Sequence, residues 1–109
     1  MPMTAPMSSI EKIRAAAALI QPHIIETPLV YSPSLSRLLN AQIYLKLENL
    51  QRTGSFKVRG AAYKLMKGLS DNTISPSGVV AASAGNHAQG VAWASRIAGV
   101  SSTIVMPHL

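Results

Sequence analysis

Cysteine is absent from this chain, which excludes disulfides, thiolate zinc sites and cysteine nucleophiles and is compatible with a reducing compartment. Aromatic residues are scarce: one Trp, one Phe and three Tyr among 109 residues. The apolar 48% therefore comes mostly from Ala, Val, Ile and Leu, which build a thin core that needs neighbours. Acids are few as well. Four Asp and Glu against ten Lys and Arg leave a net charge of +6, so the surface field favours anionic partners such as nucleic acid, phosphorylated cofactors or acidic small molecules. The opening Met1-Pro2-Met3-Thr4-Ala5-Pro6-Met7 lacks the basic start of a signal peptide, and the run Ala15 to Ile20 is too short for the apolar core of one. The longest stretch free of Lys, Arg, Asp and Glu, residues 72–95, carries Pro76, Asn86, His87 and Gln89 and is not a membrane helix. A cytoplasmic location without a membrane partner is expected.

What is present reads as alternating helices and short strands. Ser8 and Glu11 have capping-box spacing, and Ile10, Ile13, Ala17 and Ile20 recur at helical intervals, predicting a helix from about Ser9 to the residue before Pro22. Leu29-Val30-Tyr31 reads as a short strand, Ser32-Pro33-Ser34 opens a short helix ending near Asn40, and Gln42 to Lys46 is a second strand. A loop from Asn49 to Gly54 precedes a helix that starts near Ser55, with Val58, Ala61, Ala62, Leu65 and Leu69 on one face. After a turn-rich connector, Val79 to Ala82 is expected as a buried strand. Ala88, Val91, Ala92, Ser95 and Ala98 then mark a helix, and Thr103 to Met106 a second strand. This β-α-β unit near the C-terminal end predicts parallel strands with a right-handed crossover and places the chain in the α/β class. No internal repeat or low-complexity segment occurs.

Two segments carry candidate chemistry. The turn Ser83-Ala84-Gly85-Asn86-His87 lies between a strand's carboxyl end and a helix's amino end, where free NH groups and the dipole's positive pole attract an anion. Ser83 or Asn86 can cap that helix, and Gly85 opens the backbone to a ligand. The turn is not GxGxxG, so no dinucleotide fingerprint is present, and it also reads as an ordinary capped turn with a solvated His87. The second segment is Thr53-Gly54-Ser55-Phe56-Lys57-Val58-Arg59-Gly60. Lys57 falls in the first helical turn, where the positive pole disfavours an ammonium and leaves free amine for imine chemistry with an aldehyde such as pyridoxal phosphate. Phe56 could offer an apolar face to a planar ring. Periodicity leaves two alternatives open: a solvated stripe of Lys57, Lys64 and Lys67, or a nucleic-acid surface built from Arg52, Lys57, Arg59, Lys64 and Lys67 with Phe56 and Tyr63 interleaved. His23, His87 and His108 have no metal-ligand spacing, and Glu11, Glu26, Glu48 and Asp71 are read as scattered surface acids.

Thr27-Pro28-Leu29, then Lys46 through Ala61 (KLENLQRTGSFKVRGA), then Ser83 through Gly90 (SAGNHAQG) together resemble the amino-terminal part of threonine dehydratases, members of the tryptophan-synthase-β-like, fold type II class of pyridoxal-phosphate enzymes. The resemblance runs from about Ile10 to the end. It implies part of a three-layer α/β fold, with residues 1–77 in the large cofactor domain and 78–109 starting the small domain. It implies pyridoxal 5'-phosphate as cofactor and no metal. Lys57 would be the lysine that joins the cofactor and acts on the substrate's α-proton, with Phe56 packing near the cofactor and Asn86 bonding its ring oxygen. Ser83, Ala84, Gly85, Asn86 and His87 would hold the substrate carboxylate.

The activity implied is dehydration and deamination of threonine or serine to a 2-oxo acid and ammonia, in amino-acid metabolism such as isoleucine biosynthesis. The partners implied are a small amino acid and further copies of the chain in a homo-oligomer, with neither nucleic acid nor membrane. Among relatives, cysteine-forming enzymes, cystathionine-forming enzymes and threonine synthases usually carry Asp where Val58 stands. Serine racemases, the alternative, carry a second Ser where Ala84 stands. Family members continue well past this length into a glycine-rich phosphate loop, so the chain is expected to be a fragment with little activity of its own.

Overall fold

The computed structural model describes residues 9–108. Helix α1 (Ile10–Ile20) is capped by Ser9, whose hydroxyl accepts from the Lys12 NH at 3.3 Å; Ser8, expected in that role, lies outside the described residues. Pro22 follows just past the helix end. Strand β1 (Leu29–Tyr31) pairs antiparallel with β2 (Tyr44–Lys46) in the register Leu29 to Lys46, Val30 to Leu45 and Tyr31 to Tyr44. The two tyrosine rings meet edge to face at 5.4 Å, a favoured aromatic arrangement. Helix α2 (Pro33–Leu39) bridges the pair, opened by the Ser32 hydroxyl and closed by Asn40 in the left-handed region at φ 48°. The expected strand over 42–46 keeps only its last three residues. Ile43 is held by α2 instead, its NH donating to the Ser36 hydroxyl and its carbonyl accepting from the Ser32 NH, each at 2.9 Å.

Helix α3 (Lys57–Ser70), β3 (Val79–Ala82), α4 (Asn86–Ala98) and β4 (Ser102–Val105) form the second half. β3 and β4 pair in parallel, Val79 with Ser102 through Ala82 with Val105, so the expected β-α-β unit is present. Helix α3 begins two residues later than expected because Ser55 stays outside and caps, its hydroxyl accepting from the Lys57 NH at 3.3 Å. The last strand lies one residue earlier than the expected 103–106. Val79 to Ala82 is not buried throughout. Helices cover one face only, so Val79 and Ala81 are half-buried while Val80 is 73% exposed and Ala82 is exposed too.

The core sits between α3 and α4 and reaches α1 through Ile20, Ala61, Ala62, Leu65, Val91 and Ala94. Alanines on both helices allow the close packing that compensates for few large side chains. Ser95, 1% exposed, has a hydroxyl with no partner among the described residues; its small side chain suits the seam. At the far end of α3 a Cβ on Gly68 would come within 2.5 Å of the Ile74 side chain, so the chain folds back tightly there.

The uncovered face of β3 and β4 presents Val80, Val105 (56% exposed) and, beyond it, Met106 (57%). Open strand edges and contiguous apolar surface favour association. The 109-residue chain purified alone should therefore elute ahead of its monomer position on a sizing column, and Val80→Thr with Val105→Thr should shift it back. A monodisperse monomer of the unmodified chain would contradict this account.

Candidate active site

The segment leading into α3 is two short 3-10 turns, Glu48–Leu50 and Arg52–Gly54. Thr53 and Gly54 are successive left-handed residues, at φ 62° and 77°. For threonine that conformation costs roughly 1–2 kcal/mol, so the surroundings must hold it. They do so through Gln51, 4% exposed. Its amide oxygen accepts from the Ile25 NH at 2.9 Å and the Arg52 NH at 3.0 Å, and its amide nitrogen donates to the Ile25 carbonyl at 2.8 Å. The Thr53 hydroxyl is buried and finds no partner among the described residues.

Glu48 is the centre of this region. Its carboxylate accepts from Arg59 through both Nε and Nη2, from the Thr27 hydroxyl at 2.6 Å and from the Gln51 amide at 3.4 Å. It was read from sequence as a scattered surface acid, and that reading is corrected: its side chain is 14% exposed and ion-paired. Spacing along the chain could not reveal it, because the partners lie 21 and 11 positions away. The Arg59 guanidinium in front of it is the largest cause holding the Glu48 carboxyl down at about 2, against an ordinary 4.5, with bonds from Thr27 and Gln51 adding to it and burial opposing. The expected basic surface loses members accordingly: Arg59 faces Glu48, and Lys67 stands 3.7 Å from Asp71.

Lys57 opens α3 with an exposed side chain. Among the described residues its ammonium has no hydrogen-bond or ionic partner, and it lies 5.5 Å from the centroid of the Phe56 ring, itself 60% exposed. The second candidate segment opens α4. The Ser83 hydroxyl accepts from the NH groups of Gly85 and Ala88, each at 3.2 Å, so Ser83 supplies the capping oxygen from two residues before the N-cap Gly85, and Asn86 is the first residue of the helix. The NH groups of Asn86 and His87 find no protein acceptor among the described residues, the open end that any helix start leaves. A Cβ on Gly85 would meet nothing within 4 Å, leaving this backbone open to a ligand.

One close contact joins the two segments. A Cβ on Gly90 would lie 3.2 Å from the Lys57 carbonyl carbon and oxygen, so α4 passes against the backbone of the lysine more closely than most side chains would allow. Asn86 lies one turn before Gly90 on the same helical face. Ser83 and Ala84, with Ala82, Val105, Met106 and Pro107, line a hollow of about 530 Å³ at the carboxyl ends of β3 and β4, where ligands of parallel sheets bind. Lys57, Phe56 and Asn86 stand outside that lining. His87 is separated from Ser83 and Ala84: it lines a different, mostly apolar hollow with Gly60, Lys64 and Val80, so its NH belongs to the turn but its side chain does not.

Residues 20–108 match the family described as pyridoxal-phosphate dependent enzyme. The L-threonine ammonia-lyase of Thermotoga maritima is 52% identical over 102 residues, 94% of this chain and 25% of that protein. Among solved structures, a pyridoxal 5'-phosphate-dependent aspartate racemase superposes with a TM-score of 0.83 at 40% identity, covering 96% of this chain and 33% of that one. A threonine deaminase from T.th. gives 0.74 at 45% identity, covering 92% and 34%. The chain thus spans between a quarter and about a third of the length of these relatives, and its neighbours are fold type II enzymes, in agreement with the fold class expected from sequence.

Because the Glu48 carboxyl titrates below its ordinary value, its contribution to stability is complete above about pH 4.5 and is lost as pH falls towards about 2. Allowing for the partial exposure of Arg59, that contribution is about 2 kcal/mol. The gap in unfolding midpoint between the wild type and Glu48→Gln should therefore shrink on acidification through this window. A gap independent of pH would show that the ion pair adds nothing to stability.

Proposed function

The chain belongs to the pyridoxal-phosphate dependent enzyme family, and on that premise we propose that the complete protein dehydrates and deaminates threonine, or serine, to a 2-oxo acid and ammonia. The observation that carries this reading is the seating of Gly90 on the Lys57 backbone, which brings the start of α3 within about one turn of a helix start whose NH groups are available to a carboxylate. These residues fit the cofactor: a lysine without a hydrogen-bond or ionic partner among the described residues, a neighbouring aromatic ring and an open backbone turn. When bound, pyridoxal phosphate supplies an electron-accepting ring that stabilises negative charge at the substrate's α-carbon.

In this reading Lys57 holds the cofactor and its amine takes the α-proton, and Phe56 covers the ring. Asn86 bonds the ring oxygen. The turn from Ser83 through Ala84, Gly85 and Asn86 to His87 receives the substrate carboxylate at the positive end of α4, His87 through its NH. Loss of the α-proton and of the β-hydroxyl as water leaves a product that hydrolyses to the 2-oxo acid and ammonia. The same reading carries a cytoplasmic homo-oligomer acting on a small amino acid, and a division of the chain near residue 77 between cofactor domain and small domain.

A racemase is the second reading, favoured by the likeness to the aspartate racemase structure. It needs a proton donor on the opposite face of the α-carbon. Ala84, which lines the hollow at the strand ends, offers no hydroxyl there.

Two measurements on the full-length protein test these assignments. Adding pyridoxal phosphate should produce the absorbance band of the lysine-bound cofactor, and Lys57→Ala should abolish both the band and 2-oxobutanoate release from threonine; a band that survives would overturn the role of Lys57. Ala84→Ser should raise racemisation relative to ammonia release, and unchanged partitioning would remove the argument against a racemase.

A further inference from the structure

Among the described residues the Lys57 ammonium has no hydrogen-bond or ionic partner, and its one aromatic neighbour, Phe56, is itself exposed and adjacent in the chain. The place of its amine therefore follows from where α3 begins and in which direction it runs. The turn before α3 is conformationally demanding, with Thr53 and Gly54 both left-handed, and it is clamped from two sides. On one side Gln51 is bonded to both polar groups of the Ile25 backbone. On the other, Arg59 in the first turn of α3 is bonded through two nitrogens to Glu48. Gln51 also donates to Glu48, as does Thr27. Four donors from three separate segments thus meet on the two oxygens of one carboxylate.

We propose that Glu48 is a positioning residue: through the Arg59 fork it fixes the first turn of α3, and so places the Lys57 amine for the cofactor aldehyde. A carboxylate suits the role because it accepts along several directions at once and matches the guanidinium fork with two parallel bonds. Glutamine at 48 keeps the size but replaces one acceptor oxygen with a donor, which turns a hydrogen bond to Arg59 into a clash of donors. Lysine at 59 keeps the charge but loses the fork. Neither substitution touches Lys57, Phe56 or the Ser83 to His87 turn. The inference rests on the assignment of Lys57 to the cofactor and adds a residue whose effect is transmitted through Arg59.

The test uses full-length protein freed of cofactor, with the readout being the rate and apparent affinity with which pyridoxal phosphate restores the lysine-bound absorbance band. Glu48→Gln and Arg59→Lys should each weaken apparent affinity or slow the rate at least tenfold, and the double variant should be no worse than the poorer single one. Gly68→Ala, which crowds Ile74 at the opposite end of α3, is the control for lost stability. It should lower the melting temperature while leaving the band within twofold of wild type. Should Glu48→Gln fail to fold, Arg59→Lys carries the same decision. Reconstitution within twofold of wild type in either folded variant, or an equal loss in Gly68→Ala, would overturn the positioning role. A wild type in which no band depends on Lys57 would instead overturn the parent assignment, so the two failures are distinguishable.

Discussion

Gly90 lies so near the start of α3 that a Cβ there would sit 3.2 Å from the Lys57 carbonyl, and most of the site follows from that approach. The neighbour is backbone, so it cannot swing aside as a flexible side chain would. Helix α4 starts four residues before Gly90, about 6 Å along its axis, so two helix starts lie side by side. Each carries a partial positive charge, and at the α4 start the NH groups of Asn86 and His87 have no protein acceptor among the described residues. In a chain of net charge +6, two such poles at close range favour an anion, which is what the proposed carboxylate site requires.

The Glu48 carboxylate is a second constraint, of a different kind. Close packing sets how far apart the helices are, whereas Glu48 sets where α3 begins by gathering Thr27, Gln51 and Arg59 on one group. A largely buried carboxylate without such donors would be strongly disfavoured. With four, it is held in its charged form well below the usual carboxylate range. The left-handed Thr53 is sustained between these bonds, and a turn that would relax in isolation becomes a rigid lead into the lysine.

Much of this was legible in the sequence, for reasons that differ from element to element. The β-α-β unit was readable because two short apolar runs, Val79 to Ala82 and Thr103 to Met106, flank apolar residues that recur at intervals of three and four, and those patterns reflect local geometry. Helix starts were readable to within two residues, since Ser32 caps where expected and Ser55 caps from just outside α3. Strand 44–46 was overextended because the pattern cannot show that Ile43 spends its backbone bonds on α2. Glu48 was missed because Thr27 and Arg59 are distant in sequence and because a lone acid at the start of a polar loop resembles a surface residue. The role of Gly90 was visible only as part of a motif; its cause, the backbone of Lys57, is a tertiary contact.

The scaffold and the reaction type rest on different atoms. An aspartate racemase and a threonine deaminase both superpose on this chain, so one backbone is shared by two proteins named for different chemistries. Removing the α-proton is common to elimination and racemisation, and it requires only a base on one face. What separates them is whether a proton can return from the opposite face before the β-hydroxyl departs. On the proposed reading that choice falls to side chains around the turn, where the Ser83 hydroxyl accepts from the Gly85 and Ala88 NH groups and its neighbour Ala84 has no hydroxyl. On the proposed reading, a pair of neighbouring helix starts would serve proton abstraction, and the missing hydroxyl at Ala84 would favour elimination.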